Sequence, residues 1–262
     1  MELGLQRKCA VVTGGTSGIG LATARLLLEE GARVAICGRD ADRLERARSA
    51  LGAGGDRLLA QRCDVLDKAM MATFAAAVST WSGGRLDLLV NNAGQGRLST
   101  FADTDDDTWR EELDLKFFSQ VRPVRAFLPM LQMSKAPAIV VVNSLLALQP
   151  EAHMVATSAA RAGVQSLTKS LAGEFAPLIR VNSILLGLVD SGQWQRRFED
   201  RPDKAVTRQA WIAALARGKG IPLGRLGSPQ EAARAIAFLG SPAASYITGA
   251  SLEVSGGVSR HI

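Results

Sequence analysis

The segment Thr13–Gly20 has the residue types and spacing of a phosphate-binding loop, because it reads TGGTSGIG between an apolar run and a helical pattern. Gly14 permits a tight turn, Gly18 lets the backbone approach a pyrophosphate, and Gly20 lets the helix pack closely on the strand. The N-terminus of that helix offers free N–H groups to phosphate oxygens. The segment therefore predicts a dinucleotide-binding loop. The alternative interpretation is a plain turn with a glycine-capped helix.

The second apolar run ends in Gly38-Arg39-Asp40, and this end predicts which dinucleotide is bound. In dinucleotide-binding folds the ribose 2′ position of the adenosine lies there, and an acidic residue pairs with a free 2′-hydroxyl. Here that position is glycine and arginine follows it, and a guanidinium suits a phosphate dianion by charge and bidentate geometry. We therefore expect NADP(H) rather than NAD(H). The alternative is that Arg39 is a surface arginine at a helix start.

Short apolar runs alternate with longer segments of helical period, which is typical of βαβ units and a parallel sheet. Strands are predicted at Cys9–Val12, Arg33–Cys37, Leu58–Cys63, Leu86–Val90, Ala138–Asn143, Arg180–Ile184 and Ser251–Val254. Helices are predicted near Gly18–Glu30, Ala41–Leu51, Lys68–Trp81, Asp106–Leu131, Ala156–Phe175 and Pro229–Phe238. The expected fold is α/β, a Rossmann-type doubly wound sheet of about seven parallel strands with helices on both faces.

A long segment, Asp190 to Gly220, follows the sixth predicted strand and has no strand character. Long excursions beside strand carboxyl ends commonly form lids or binding loops, so we predict a substrate lid near 190–220. Trp194, Phe198 and Trp211 would give the lid an apolar wall, while the arginines among them could meet an acidic group. Without a linker or low-complexity tract, residues 1–262 are predicted to form a single dinucleotide-binding domain.

Composition narrows the classes of partner. Of the 262 residues, 47% are apolar and 21% charged, which is the balance of a globular protein. No apolar run approaches the roughly 20 residues that cross a bilayer and no secretory segment precedes the first strand, so we expect no membrane partner and a cytoplasmic location. The formal charge is +6, but the arginines are scattered, which argues against nucleic acid. Three separated cysteines and two histidines supply no metal site.

Further motifs follow in order: Cys63-Asp64-Val65, Asn91-Asn92-Ala93-Gly94, Tyr246–Gly249 and Ser255–Gly257. Together with a glycine loop wider than GxGxxG, they make the chain similar to the short-chain dehydrogenase/reductase family from about Leu5 onward. The resemblance implies that Asp64 accepts a hydrogen bond from the adenine amine and that Val65 packs on the ring. The segment from Asn91 to Gly94 would line the adenosine ribose.

The resemblance also implies that Val189 and Ser191, after the sixth strand, meet the nicotinamide carboxamide, and that Gly187 is the glycine of a family proline-glycine pair. A family proline is leucine in this stretch, at Leu186. The complete predicted cofactor set is Gly14, Thr16, Ser17, Gly18, Ile19, Gly20, Arg39, Asp64, Val65, Asn91, Ala93, Gly94, Arg161, Gly187, Val189 and Ser191.

At the catalytic positions the chain departs from the family. The resemblance implies an asparagine, a serine that polarises the substrate carbonyl, a tyrosine that moves a proton, and a lysine that lowers the tyrosine pKa. Ser144 matches the serine, but Lys116, Thr157 and Arg161 replace the asparagine, tyrosine and lysine. A threonine hydroxyl is far less acidic than a phenol, and arginine effectively never gives up its proton.

Two functions follow from this changed tetrad. In the first, the chain is an NADP(H)-dependent oxidoreductase of a carbonyl or secondary alcohol. Lys116, partly buried beside the charge of Arg161, has a lowered pKa and replaces the tyrosine as acid and base, directly or through water. Thr157 is then space-filling, and His153 is a second candidate acid or a solvated residue at a helix start.

In the second, the chain keeps nucleotide binding without turnover, as an NADP(H)-responsive regulator or assembly partner. The intact phosphate loop beside the changed tetrad motivates this function, whereas the retained Ser144 and the predicted lid favour catalysis. In either case the family resemblance implies a homotetramer or homodimer.

Overall fold

The computed structural model describes residues 2–52, 55–201 and 204–260, and within them seven strands form one parallel sheet. The strands are β1 Cys9–Thr13, β2 Arg33–Gly38, β3 Leu58–Arg62, β4 Leu88–Asn91, β5 Ala138–Ser144, β6 Arg180–Leu186 and β7 Ser251–Val254. Their order across the sheet is β3-β2-β1-β4-β5-β6-β7, so the chain adds strands to one side of β1 and then, from β4 on, to the other side, as in doubly wound folds. The predicted fold class is therefore confirmed.

Helices cover both faces of the sheet, because the central strands are apolar on both sides. In β1, Val12 packs into a cluster with Leu27, while Val11 packs into a second cluster on the opposite face. In that second cluster the rings of Phe74 and Phe127 meet edge to face, with centroids 5.7 Å apart. Alternate strand side chains thus enter two separate cores, as strand geometry requires.

The helices are α1 Gly18–Glu29, α2 Ala41–Leu51, α3 Lys68–Ser82, α4 Asp106–Leu113, α5 Ser119–Gln132, α6 Val155–Phe175, α7 Gly192–Glu199, α8 Arg208–Gly218 and α9 Pro229–Gly240. Most predicted ends are within one or two residues of these bounds. One prediction needs correction, since the continuous helix Asp106–Leu131 is divided into α4 and α5 by a π turn at Asp114–Phe118. Hydrophobic period does not reveal a π turn, because a single extra residue per turn barely alters it.

The predicted lid segment is helical: α7 and α8 occupy most of it. The sequence analysis predicted no strand here, as observed, but it did not include these two helices among the predicted ones. Within the part of the chain that the structure describes, every helix is too short or too polar to cross a bilayer.

Candidate active site

The carboxyl ends of β1 and β4 are joined by hydrogen bonds between Thr13 and Asn92. The Thr13 hydroxyl accepts from the backbone N–H groups of Asn92 and Ala93, at 3.0 and 3.1 Å. In return, Asn92 Nδ2 donates to the carbonyls of Thr13 and Gly14, at 3.0 and 3.1 Å. These bonds fix the glycine loop from within the protein. Asn92 was missing from the predicted cofactor set.

A side chain at Gly20 would collide with the glycine loop. A Cβ there would lie 2.3 Å from the carbonyl oxygen of Gly14 and 2.5 Å from Asn92 Nδ2. Its absence lets the first turn of α1 pack directly on the loop. The N-cap residue Ser17 makes no side-chain capping hydrogen bond, so that turn keeps its amide donors for an anion.

A cleft of about 390 Å³ opens beside this loop, at the carboxyl ends of the strands. The predicted cofactor residues that line it are Gly14, Thr16, Ser17, Gly18, Ile19, Arg39, Asp64, Val65, Ala93, Gly94 and Ser191. It is also lined by residues outside the predicted cofactor set, namely Gly38, Asp40, Arg43, Cys63, Asn92, Gln95, Leu115 and Gly192. The cleft thus unites segments from across the chain at the switch point of the sheet, where such folds bind nucleotides.

Four further predicted cofactor residues support the cleft rather than line it. Gly20 packs as described, and Asn91 donates through Nδ2 to the carbonyl of Gln120 on α5, at 3.1 Å. Gly187 lies so close to the next strand end that a Cβ would be 2.9 Å from the Cα of Ser255. Val189 pairs with Gly227 in an isolated bridge.

One end of the cleft is basic. Arg39 makes no ion pair with any described residue, while Arg43, one turn along α2, lies with Nε 3.4 Å from Asp40 Oδ2. Gly38 has a steric reason to lack a side chain, since a Cβ would lie 2.6 Å from Thr16 Cγ2. An acidic residue at this position, which a free 2′-hydroxyl would require, would thus have to displace the Thr16 side chain, and two guanidinium groups lie nearby instead.

Ser144 ends β5 and caps the short 3₁₀ turn Leu145–Ala147 that follows. Its hydroxyl accepts from the backbone N–H of Leu146 and donates to the carbonyl of Leu186, both at 3.3 Å. These bonds are long, so the hydroxyl can turn toward a carbonyl oxygen at small cost.

Lys116 lies in the π turn, fully buried, with a carboxylate as its partner. Its Nζ donates to Glu112 Oε2 at 2.9 Å, and the exposed fractions of the two side chains are 0% and 1%. The Thr157 hydroxyl donates to the same Glu112 oxygen at 2.5 Å. Glu112, Lys116 and Thr157 thus form a buried polar cluster. Thr157 donates a hydrogen bond within it and does not merely fill space, which corrects the sequence-based interpretation.

The pKa of Lys116 is lowered chiefly by burial. The carboxylate of Glu112 opposes that shift, while the like charges of Arg161 and Arg97 add to it. The direction agrees with the expectation from sequence, but Lys116 is wholly buried instead of partly buried. Glu112 was missed, although Glu and Lys four residues apart on a helix are a recognised pairing signal.

Arg161 connects this polar cluster with the cofactor cleft. Its Nη1 donates to the carbonyl of Val142 at 2.9 Å, and its Nη2 lies 3.6 Å from where a Cβ on Gly94 would stand. Burial lowers the pKa of Arg161 to about 10 and the attraction of Glu112 opposes the shift, so the guanidinium stays protonated at neutral pH.

Comparison with known proteins identifies the family. The family model described as enoyl-(acyl carrier protein) reductase matches residues 14–259. Galactitol 2-dehydrogenase (L-tagatose-forming) from Cereibacter sphaeroides is 37% identical over 257 residues, covering 97% of this chain and 95% of that protein. The chain is a short-chain dehydrogenase/reductase.

Solved structures of this short-chain dehydrogenase/reductase fold include a near relative. A short chain oxidoreductase from Pseudomonas aeruginosa PAO1, described as containing an atypical catalytic center, is 61% identical in its apo structure, with a TM-score of 0.93. Its NADPH-bound structure is 60% identical, with a TM-score of 0.90. Each comparison covers 97% of this chain and 98% of that one. L-Sorbose reductase from Gluconobacter frateurii, with NADPH and L-sorbose, is 31% identical over all of both chains, with a TM-score of 0.94.

His153 lies apart from the polar cluster of this short-chain dehydrogenase/reductase. Its side chain is 53% exposed, and its Nε2 lies 3.0 Å from Glu151 Oε2. The same carboxylate oxygen is 3.1 Å from Lys219 Nζ, at the end of α8. These contacts favour the solvated position over the role of second candidate acid.

Helices α7 and α8 of the predicted lid segment pack against each other through the three predicted aromatic residues. The ring centroid of Trp211 is 6.2 Å from that of Trp194 and 5.7 Å from that of Phe198. Asp190 and Arg208 form an ion pair across the base of the segment, with Oδ1 and Nη2 2.5 Å apart. The segment therefore has an apolar interior of its own, and its Ser191 and Gly192 line the cleft.

Proposed function

We propose that the chain is an NADP(H)-dependent oxidoreductase that interconverts a carbonyl compound and a secondary alcohol. The observation that carries the choice of cofactor is the basic end of the cleft, where Gly38 packs against Thr16 and Arg39 is unpaired among the described residues. The NADPH bound in a relative of 60% identity supports the same choice.

The residues present fit such a cofactor. Uncapped amides at the start of α1 would hold the pyrophosphate, Asp64 and Val65 the adenine, and Arg39 with Arg43 the 2′-phosphate. When bound, NADPH supplies the hydride for reduction. Arg161, against Gly94, would hold ribose hydroxyls and contribute positive charge.

The proton would come from Lys116 while Ser144 polarises the carbonyl oxygen. An ammonium whose pKa is lowered by burial gives up its proton more readily than a free lysine, which suits it to general acid catalysis. Leu115, the preceding residue, lines the cleft, while the Lys116 side chain is buried and is not itself among the lining residues. In reduction the charged form is the donor, and in oxidation the neutral amine would be the acceptor.

The domain organisation, oligomeric state and cellular location stay predictions from the sequence and its family. They are one domain over 1–262, a homodimer or homotetramer, and a cytoplasmic location. The lid near 190–220 would close over a substrate with an apolar portion. Polyols and ketoses are reasonable first substrates, because the relatives named above act on galactitol and L-sorbose.

The test joins cofactor binding to a substrate screen. Thermal stabilisation by NADPH and NADH would be measured first, followed by NADPH oxidation with ketoses, other ketones and aldehydes, and NADP reduction with secondary alcohols. We expect stronger stabilisation by NADPH and turnover of at least one substrate. Binding without turnover across the whole screen would favour the regulator, and the absence of binding would overturn both functions.

A further inference from the structure

Glu112 is a buried carboxylate to which neither the sequence nor the family resemblance assigns a role. It lies in the last turn of α4, and its side chain is 1% exposed. Its Oε2 accepts from both Lys116 Nζ and the Thr157 hydroxyl, whereas Oε1 has no hydrogen-bond partner among the described residues. Burying a carboxylate is costly unless charge and hydrogen bonds compensate it, so a merely space-filling role would favour an apolar residue here.

The charges around Glu112 come from three separate segments. Lys116 faces it from the π turn, Arg161 from α6 and Arg97 from the loop after β4. Arg97 is itself paired with the exposed Glu111, Nη1 to Oε2 at 2.7 Å. Among the groups that act on Lys116, Glu112 supplies the negative charge and the two arginines supply like charge.

We propose that Glu112 is the positioning residue of the altered catalytic centre: its carboxylate holds the Lys116 ammonium in place and keeps it protonated, while fixing the Thr157 hydroxyl beside it. The inference rests on the proposed function, in which Lys116 supplies the proton. In reduction the cofactor would give a hydride to the carbonyl carbon, and one N–H bond of the Lys116 ammonium would break as an O–H bond forms. Glu112 keeps its charge throughout and touches neither substrate nor cofactor.

The sign of the effect follows from the charges. Burial and two arginines lower the pKa of Lys116, and Glu112 opposes them. Without the carboxylate the pKa falls further, so the ammonium becomes neutral at a lower pH. For reduction, the loss of rate as pH rises must then begin at a lower pH.

The experiment is an NMR titration of Lys116 in protein labelled with 13C at the lysine ε-carbon, with NADPH saturating. The resonance is assigned by its disappearance in Lys116→Arg. In Glu112→Gln, which keeps the shape and an oxygen acceptor for Thr157, we expect the titration to move to lower pH by about 1 to 3 units. The matched control is Glu111→Gln, which removes the neighbouring exposed carboxylate and should leave the titration of Lys116 nearly unchanged.

Two outcomes overturn the inference: an unchanged titration in Glu112→Gln, or an equal shift in both variants. If Glu112→Gln does not fold, Glu112→Asp serves as the second variant. Its shorter side chain draws the carboxylate away from Nζ, so we expect a smaller shift in the same direction, and no shift would again contradict the inference. Since the titration needs no turnover, it is separate from the proposed function; with a substrate, the decline of kcat at high pH should move by the same amount.

Discussion

The two ends of the site, the cofactor end at the glycine loop and the end around Lys116, are formed by different kinds of chemical group. At the cofactor end, backbone amides, small residues and exposed arginines form an open cleft in which Gly20 and Gly38 are fixed by close contacts with Gly14 and Thr16. The other end is the cluster of Glu112, Lys116 and Thr157, which we call the proton end after the proton transfer proposed for it, and there Glu112 and Lys116 form a buried charged pair. The first end depends on the course of the backbone and the second on the compensation of buried charge.

The two ends therefore differ in how closely their residue types must follow the family pattern. Backbone-built phosphate sites leave few alternatives, because a side chain at the wrong position collides with the loop. A proton-transfer site needs only a group of suitable pKa in reach, and several chemistries can supply it. The chain keeps the first end in the family pattern and rebuilds the second, so the two ends should respond differently to substitution.

The largest expected effect lies at the proton end. Lys116→Met leaves the carboxylate of Glu112 buried without its cation, and we expect a loss of about 3–5 kcal/mol in the free energy of unfolding. The double variant Glu112→Gln with Lys116→Met removes both charges and should recover most of that loss. Chemical denaturation of the two variants measures this; a double variant less stable than Lys116→Met would show that the pair is not coupled.

At the cofactor end the largest effect is steric. Gly20→Val places atoms within 2.3 Å of the Gly14 carbonyl, and overpacking of this kind costs about 3 kcal/mol. We expect a lower Tm and loss of measurable NADPH binding. Gly173→Ala in α6, where a Cβ would meet nothing within 4 Å, is the matched control and should be neutral or slightly stabilising. Wild-type NADPH affinity in Gly20→Val would contradict the role of this close packing.

Cofactor choice should change without any effect on the proton end. Arg39→Gln is expected to weaken NADPH binding by roughly 10- to 100-fold, because it removes a charge-assisted contact to phosphate, and to leave NADH binding nearly unchanged. Arg46→Gln, on the exposed surface of the neighbouring α2 but outside the cleft lining, is the control. Equal weakening of both cofactors, measured by fluorescence titration, would mean that Arg39 does not read the 2′ position.

The smallest effect is expected at the position where the family has its tyrosine. Thr157→Val removes one of the two hydrogen bonds to Glu112 Oε2 and should cost about 1 kcal/mol of stability. Turnover should fall by roughly tenfold or less, since the hydroxyl positions a partner and does not move the proton. Turnover would be measured by steady-state kinetics with the same substrate. If Thr157→Val lowered it as much as the loss of a proton donor does, Thr157 itself would have to move the proton, as the tyrosine of the family does.

The fold and the cofactor end were largely predictable from the sequence, for physical reasons. Strands buried on both faces are continuous apolar runs, so the seven strands were found with their order along the chain. The glycine loop could be predicted because close backbone packing permits few residue types at its positions. Arg43 was missed, because its approach to the cleft depends on the first turn of α2 rather than on a motif.

The contacts that Lys116 and Thr157 make could not be predicted from the sequence. Thr157 and Glu112 are 45 residues apart, on α6 and α4, and only the packing of these helices brings them to one carboxylate oxygen. The spacing of Glu112 and Lys116 was visible, but such pairs are mostly solvated, so their burial is a property of the tertiary structure. The π turn that carries Lys116 left no trace in the hydrophobic period.

The proposed function depends on Lys116 supplying the proton, at a cofactor site that otherwise follows the family pattern. The most direct measurement is the single-turnover rate of NADPH oxidation as a function of pH, in the wild type and in Lys116→Arg, which keeps a cation beside Glu112 but does not release its proton in this range. We expect the wild-type rate to fall as pH rises through the lowered pKa of Lys116. Lys116→Arg should bind NADPH normally and react roughly 100-fold more slowly or worse, without that decline. A Lys116→Arg rate equal to the wild-type rate, with the same dependence on pH, would contradict this role of Lys116.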